Sequence, residues 1–132
     1  MPDPPRTVDL ARTWVDAANR SDGDALTALS APDIEIVGPR GSVRGTAVLR
    51  EWLRRAGLTL TTRRTFARST AVVLEQRGVW RSPETGEVVG EADVASRFVA
   101  ESGRITVYER YDALADALAA AGLAEEHETA GS

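Results

Sequence analysis

The feature that most constrains the fold lies in residues 58–111, where long stretches with a two-residue rhythm alternate with tight turn signals. Residues 58–67 are rich in Thr, and residues 71–82 form a second, Val-rich stretch. The tetrapeptide Pro83-Glu84-Thr85-Gly86 follows. Pro starts a type I turn there and Gly supplies the positive-φ position, so residues 87–99 run back as a hairpin. Glu101-Ser102-Gly103 turns the chain again, and residues 104–111 complete an antiparallel meander. Strands beyond ten residues exceed the usual five or six, so the sheet must coil. Gly78 is the predicted bulge. A coiled sheet packed on helices along one face makes a cone with a cavity inside.

The N-terminal half supplies the helices. Val8, Ala11, Trp14, Val15 and Ala18 recur at helical spacing from Thr7 onward, with Thr7 as the predicted N-cap. Ser21-Asp22-Gly23-Asp24 breaks this helix and caps a short second one, with Ala25, Leu26 and Leu29 as its apolar face. Pro32 sets its limit, because the residue before a proline leaves the helical region. Residues 33–37 alternate as a half-buried strand, Gly38 to Gly41 turn, and residues 42–44 return. A third helix starts at Gly45-Thr46, turns Val48, Leu49, Trp52 and Leu53 inward, and ends at Gly57. A last helix, predicted to be capped by Asp112, carries Leu114, Ala117, Leu118 and Ala121 and ends at Gly122. Helices followed by a run of strands read as α+β. The expected organisation is a flexible N-terminus over 1–6, one domain over 7–122 and a flexible polar tail over 123–132.

Missing residue types narrow the chemistry. There is no Cys, and all 16 basic residues are Arg. Thiolate nucleophiles, Cys-built zinc sites, Schiff bases and the phosphate-loop lysine are therefore excluded. The single His is His127, in the polar tail, so no Ser-His-Asp triad or His-based metal site is expected. No cofactor and no metal are expected. The net charge of −4 argues against nucleic-acid binding, which needs a basic face. No apolar run reaches the roughly 20 residues that span a membrane. The N-terminus has no apolar signal core, so a cytoplasmic location is expected.

Four segments, Asn19–Leu26, Ser30–Pro39, Val43–Leu53 and Ser102–Asp112, taken in this order and spacing, resemble the nuclear transport factor 2-like superfamily. Within it the chain is most similar to the SnoaL-like branch, with ketosteroid isomerase, limonene epoxide hydrolase and the polyketide cyclases. The resemblance covers roughly residues 8–121. It implies a conical α+β barrel, a homodimer and an apolar pocket for a small ligand. It does not fix the function, because one fold serves many chemistries.

Alternation along the last strand puts Ile105, Val107, Glu109 and Tyr111 on one face and Thr106, Tyr108 and Arg110 on the other. The first set is more apolar and is expected inward. Glu109 is then the candidate general acid or base, at the place where the resemblance to epoxide hydrolases puts a water-activating acid. A structural pairing with an Arg is the alternative. Val72, Leu74, Gln76, Gly78 and Trp80 share the inner face of the strand over 71–82. Gln76 and Gly78 stand where the epoxide-hydrolase pattern has an Arg and an Asp, which argues against that reaction. Gly38 stands where the ketosteroid-isomerase pattern has its base, and Trp14 where it has its oxyanion Tyr. Trp14 and Gln76 are expected to orient substrate, and Trp52, Trp80 and Tyr111 to wall the cavity. Arg64 shares the alternation of Leu60, Thr62 and Phe66 and either anchors an anionic group inside or is solvated. Asp93 is a further carboxylate candidate. Counting from Gly86 turns it inward, whereas counting from Phe98 turns it outward, and the apolar row of Ala92, Val94, Ser96 and Phe98 favours outward. Two readings stand: a cofactor-independent isomerase, cyclase or hydrolase/dehydratase working on a small apolar metabolite by carboxylate acid–base catalysis, and a non-catalytic binding or interaction module of the same fold.

Overall fold

The computed structural model describes residues 4–38 and 41–129, so Pro39 and Arg40 of the expected turn lie outside the described residues. Two helices, α1 (Pro4–Asn19) and α2 (Gly23–Ala28), lead into β1 (Ser30–Gly38) and β2 (Gly41–Arg44). Then come α3 (Thr46–Ala56), the strands β3 (Leu58–Arg68), β4 (Ala71–Arg81), β5 (Val88–Glu101) and β6 (Arg104–Tyr111), and α4 (Leu114–Ala121). The strands form one sheet in the order β2-β1-β6-β5-β4-β3, antiparallel throughout except for β1 against β6. The fold is α+β, a curved sheet that wraps around helices without closing.

Local chemistry accounts for most boundaries. α1 starts at Pro4, one turn before Thr7, because prolines in a first turn give up only N–H groups that have no helical partner. Asp22 caps α2 by accepting from the Ala25 N–H at 3.1 Å. The N-cap of α4 is Ala113 rather than Asp112, with no side-chain bond. Ser102 and Gly103 both take positive φ, 53° and 76°, the pairing that a two-residue hairpin loop needs between twisted strands. No described helix is long and apolar enough to cross a membrane.

Two apolar layers hold the sheet. On the inner face, Ala11, Trp14, Val15 and Ala18 of α1 and Leu49 of α3 pack on Ile34, Leu60, Val72, Leu74, Val94, Phe98, Ile105 and Tyr108. On the outer face, Ala117, Leu118 and Leu123 cover Phe66, Val73 and Ala95. Each fully buried Leu, Val or Phe contributes roughly 1.5–3 kcal/mol.

Two bulges decide which side chains face which layer. In β6, Val107 pairs Val99 and Ile105 pairs Ala100, so Thr106 is the extra residue. Its hydroxyl donates to the Val99 carbonyl at 3.2 Å. In β3 the register shifts between Thr62 and Arg64. An inserted residue reverses the alternation beyond it. Gly78, the expected bulge, instead sits in regular register between Leu60 and Ala92. Its missing side chain makes room for the Trp80 ring, which a Cβ at Gly78 would meet at 3.2 Å.

The tail, expected to be free, is docked as far as Thr129. Leu123 is buried, the Thr129 N–H donates to the Thr65 carbonyl at 2.8 Å, and Glu128 bridges to Phe66. Arg64 holds it, bonding Glu125 at 2.5 Å and Glu128 at 3.0 Å. The exposed edge of β3 offers unpaired backbone groups, and the polar tail satisfies some of them.

Candidate functional site

The inner sheet face is largely apolar, with a row of neutral polar groups running across β3, β4, β5 and β6 and with Thr65 and Arg110 outside that row. Thr62, Gln76 and Ser96 share it because Thr62 pairs Gln76, and Ser96 lies one pair along from Val94, the partner of Gln76. The Gln76 amide donates to the Thr62 hydroxyl at 3.2 Å and accepts from the Ser96 hydroxyl at 2.6 Å. Gln76 and Ser96 are wholly buried.

Tyr108 ends the row. It is 3% exposed, and its hydroxyl makes no hydrogen bond of proper geometry. Ser96 is near enough to pull on its ionisation, but the Ser96 proton goes to Gln76. Burial pushes the Tyr108 pKa up, against weaker opposing pulls from Ser96 and the Arg110 cation, so the phenol stays a neutral donor. An unmade bond of this kind costs about 1–3 kcal/mol, which marks the hydroxyl as unusual in a packed interior. The ring is clamped by Trp14 at 4.7 Å, Phe98 at 5.3 Å and Trp52 at 5.7 Å between centroids. This aromatic cluster packs the interior between α1, α3 and the sheet, and its Trp52 also lines a surface cleft.

Beyond Tyr108 along β6, the inner face is less buried and forms a mouth. Trp80, Gly90, Ala92 and Arg110 are only partly buried. The Arg110 guanidinium lies 5.2 Å from the Trp80 ring centroid. Beside this mouth a cleft of about 290 Å³ is lined by Trp52, Leu53, Leu58 and Asn19, among others. Leu58 is the register partner of Trp80, so the cleft adjoins the mouth. That volume is at the lower end of ligand pockets, roughly 300–1,000 Å³.

The expected site residues divide between the two faces. Gln76, Trp14, Trp52 and Trp80 are inside or at the rim. Trp14 has its indole N–H bound to the Ser30 hydroxyl at 3.0 Å, so it packs rather than donating to a ligand. Glu109 and Tyr111 are on the outer face, because the Thr106 bulge turns Tyr108 and Arg110 inward instead. Glu109 bonds Arg97 at 3.0 Å and Tyr111 at 2.5 Å, and is not among the groups that could move protons inside the cone. Arg64 is likewise turned outward by the bulge in β3, over the Phe66 ring at 4.9 Å. Asp93 faces outward, as the apolar row implied, and pairs Arg77 at 3.2 Å and Arg63 at 3.3 Å. No carboxylate among the described residues is buried, and no three His, Asp or Glu among them are grouped to hold a metal. Sequence reasoning missed Tyr108, Ser96, Thr62 and Arg110 as a set. The signal was available: Ile105 and Tyr108, both large and apolar, are three apart, which period two does not allow.

Comparison with known proteins agrees with this architecture. Residues 11–108 match the family model for the SnoaL-like domain. No curated protein sequence matches the chain. Among solved structures, an epoxide hydrolase of limonene-epoxide-hydrolase type from M. tuberculosis is 19% identical, with a TM-score of 0.70 over 92% of this chain and 88% of that one. A nuclear transport factor 2-like protein from Burkholderia xenovorans LB400 is 23% identical, with a TM-score of 0.68 over 90% and 97%. TerC, co-crystallised with polyporic acid, is 18% identical, with a TM-score of 0.71 over 84% and 94%. At these identities the likeness is one of fold.

Proposed function

The chain belongs to the SnoaL-like domain family, and we propose that it binds a small, largely apolar molecule whose carbonyl or enol oxygen accepts a hydrogen bond from Tyr108. The observation that carries this reading is the orphaned Tyr108 hydroxyl at the end of a satisfied polar row. A fold gains nothing from a buried donor without an acceptor, whereas a ligand oxygen would complete it. Gln76 and Thr62 fix the orientation of Ser96, which in turn flanks the phenol.

The isomerase, cyclase or hydrolase chemistry suggested by the family would then work by polarising a carbonyl with a neutral phenol. Carboxylate acid–base catalysis through Glu109 is withdrawn, because that side chain is on the other face. The non-catalytic binding reading is favoured by the absence of any buried carboxylate among the described residues.

Quenching of Trp fluorescence by acetonaphthone, a neutral aromatic ketone, tests the reading. Wild type should bind saturably, and Tyr108→Phe should weaken binding by about tenfold, the worth of one buried hydrogen bond. Equal affinity in both proteins would contradict it. We also propose that two copies pair through the uncovered part of the outer sheet face. On that face Val73 is covered by α4, and Tyr108 does not belong to it because its ring is inside. Val79, Thr106, Val99 and Val107 remain partly exposed.

A further inference from the structure

We propose that the mouth of the cone is an anion subsite, in which Arg110 on its Trp80 shelf takes the carboxylate or enolate of an otherwise apolar ligand. The inference rests on the interior ligand site argued above and names the chemical class of what enters it.

Arg110 is the cation that the β6 bulge turns inward, next to Ser96, its register partner, and two residues beyond Tyr108. It is partly buried and lies against the Trp80 ring, and no ion pair with a carboxylate is seen for it among the described residues. Arg64, for which the sequence left an inward position open, is by contrast turned outward and saturated by Glu125 and Glu128. A guanidinium lying on an aromatic face keeps its in-plane N–H groups free, in the fork geometry that fits a carboxylate. The shelf is built for this. A Cβ at Gly78 would come within 3.2 Å of the Trp80 ring, so the glycine lets the ring lie along the sheet, and Gly90 stands beside it. The geometry of β6 points to the same ligand: the buried, unpartnered Tyr108 hydroxyl belongs to the residue two before Arg110 on the same inner face. One anionic group at the mouth can therefore meet a permanent cation and a neutral donor together.

The test uses naphthoate and naphthamide, two planar probes of one shape that differ in charge, titrated against Trp fluorescence at neutral pH. Wild type should prefer naphthoate by at least about tenfold, the usual advantage of a charge-assisted pair. Arg110→Gln should abolish the preference by lowering naphthoate affinity at least about tenfold more than naphthamide affinity, and Arg110→Lys should keep part of it. Circular dichroism of both variants confirms that they are folded. Equal binding of the two probes to wild type, or a preference that survives in Arg110→Gln, would overturn the anion subsite and leave the ligand site standing. Failure of both probes to bind would overturn the subsite together with the reading on which it rests.

Discussion

Tyr108 and Glu109 are adjacent in the chain and face opposite layers, so each tests the other's assignment. Glu109 and Arg97 are 17% and 19% exposed, so the pair is largely shielded from solvent. Glu109→Gln should cost about 1–2 kcal/mol in urea unfolding, because it weakens a partly buried charged pair. It should leave ligand affinity within about twofold, as expected of a side chain that touches no ligand. A large loss of affinity with stability intact would return Glu109 to the site. The two tyrosines of the chain give a second check. Burial raises the pKa of Tyr108, and burial together with Glu109 raises that of Tyr111. Neither should form tyrosinate near pH 10, the ordinary value, in an absorbance titration of the folded protein. A group with a raised folded pKa contributes its full stability below the unfolded value. Stability should therefore decline as pH rises past 10. A tyrosinate signal titrating normally at pH 10 in the native state would contradict the burial of Tyr108.

The elements themselves were largely legible in the sequence. The four-strand meander, Gly57 and Gly122 as helix ends and the Asp22 cap all rest on local chemistry, and the structure has them. The site was legible only up to the bulges. Gln76 and Trp80 came out on the expected face because β4 is regular from Ala71 to Trp80. Glu109 and Tyr111 did not, because each lies past an inserted residue that period-two counting carries across unseen, and a like insertion in β3 settles the face of Arg64 that the sequence left open. Bulges are set by long-range packing, here Ile105 and Tyr108 both seeking the inner core, and short-range pattern does not locate them. The tail was misjudged for a related reason: its polarity was read as freedom, but its acids meet Arg64 on β3. The Arg64 bonds hold the Glu128 pKa below its ordinary 4.5. Docking driven by this pair is therefore complete above that pH and lost as pH falls below it. Amide exchange of residues 123–129 should accelerate in acid, and Arg64→Ala should produce the same acceleration at neutral pH. Slow exchange in the Arg64→Ala protein would show that the apolar and backbone contacts of Leu123 and Thr129 suffice.

For the molecule as a whole, the uncovered strip of outer sheet beside α4 carries half-buried valines among charges, a composition suited to self-association. Light scattering at micromolar concentration should give the mass of two copies, and a monomer would remove that face from the account. The inside of the cone poses the deeper question of whether its polar row serves the fold or a ligand. The row from Thr62 to Ser96 is internally satisfied, whereas the Tyr108 hydroxyl beyond it is not, and neither are the buried hydroxyls of Thr27 and Thr65. Urea unfolding of Tyr108→Phe, with no ligand present, separates the two. Phe keeps the ring against Trp14 and Phe98 and deletes only the unpartnered hydroxyl. The variant should be as stable as wild type, or more stable by up to ~1 kcal/mol, because no bond is lost and a desolvated donor is removed. A loss of roughly 2 kcal/mol would mean that the hydroxyl already has its partner within the fold, and that it is not held in reserve for a ligand.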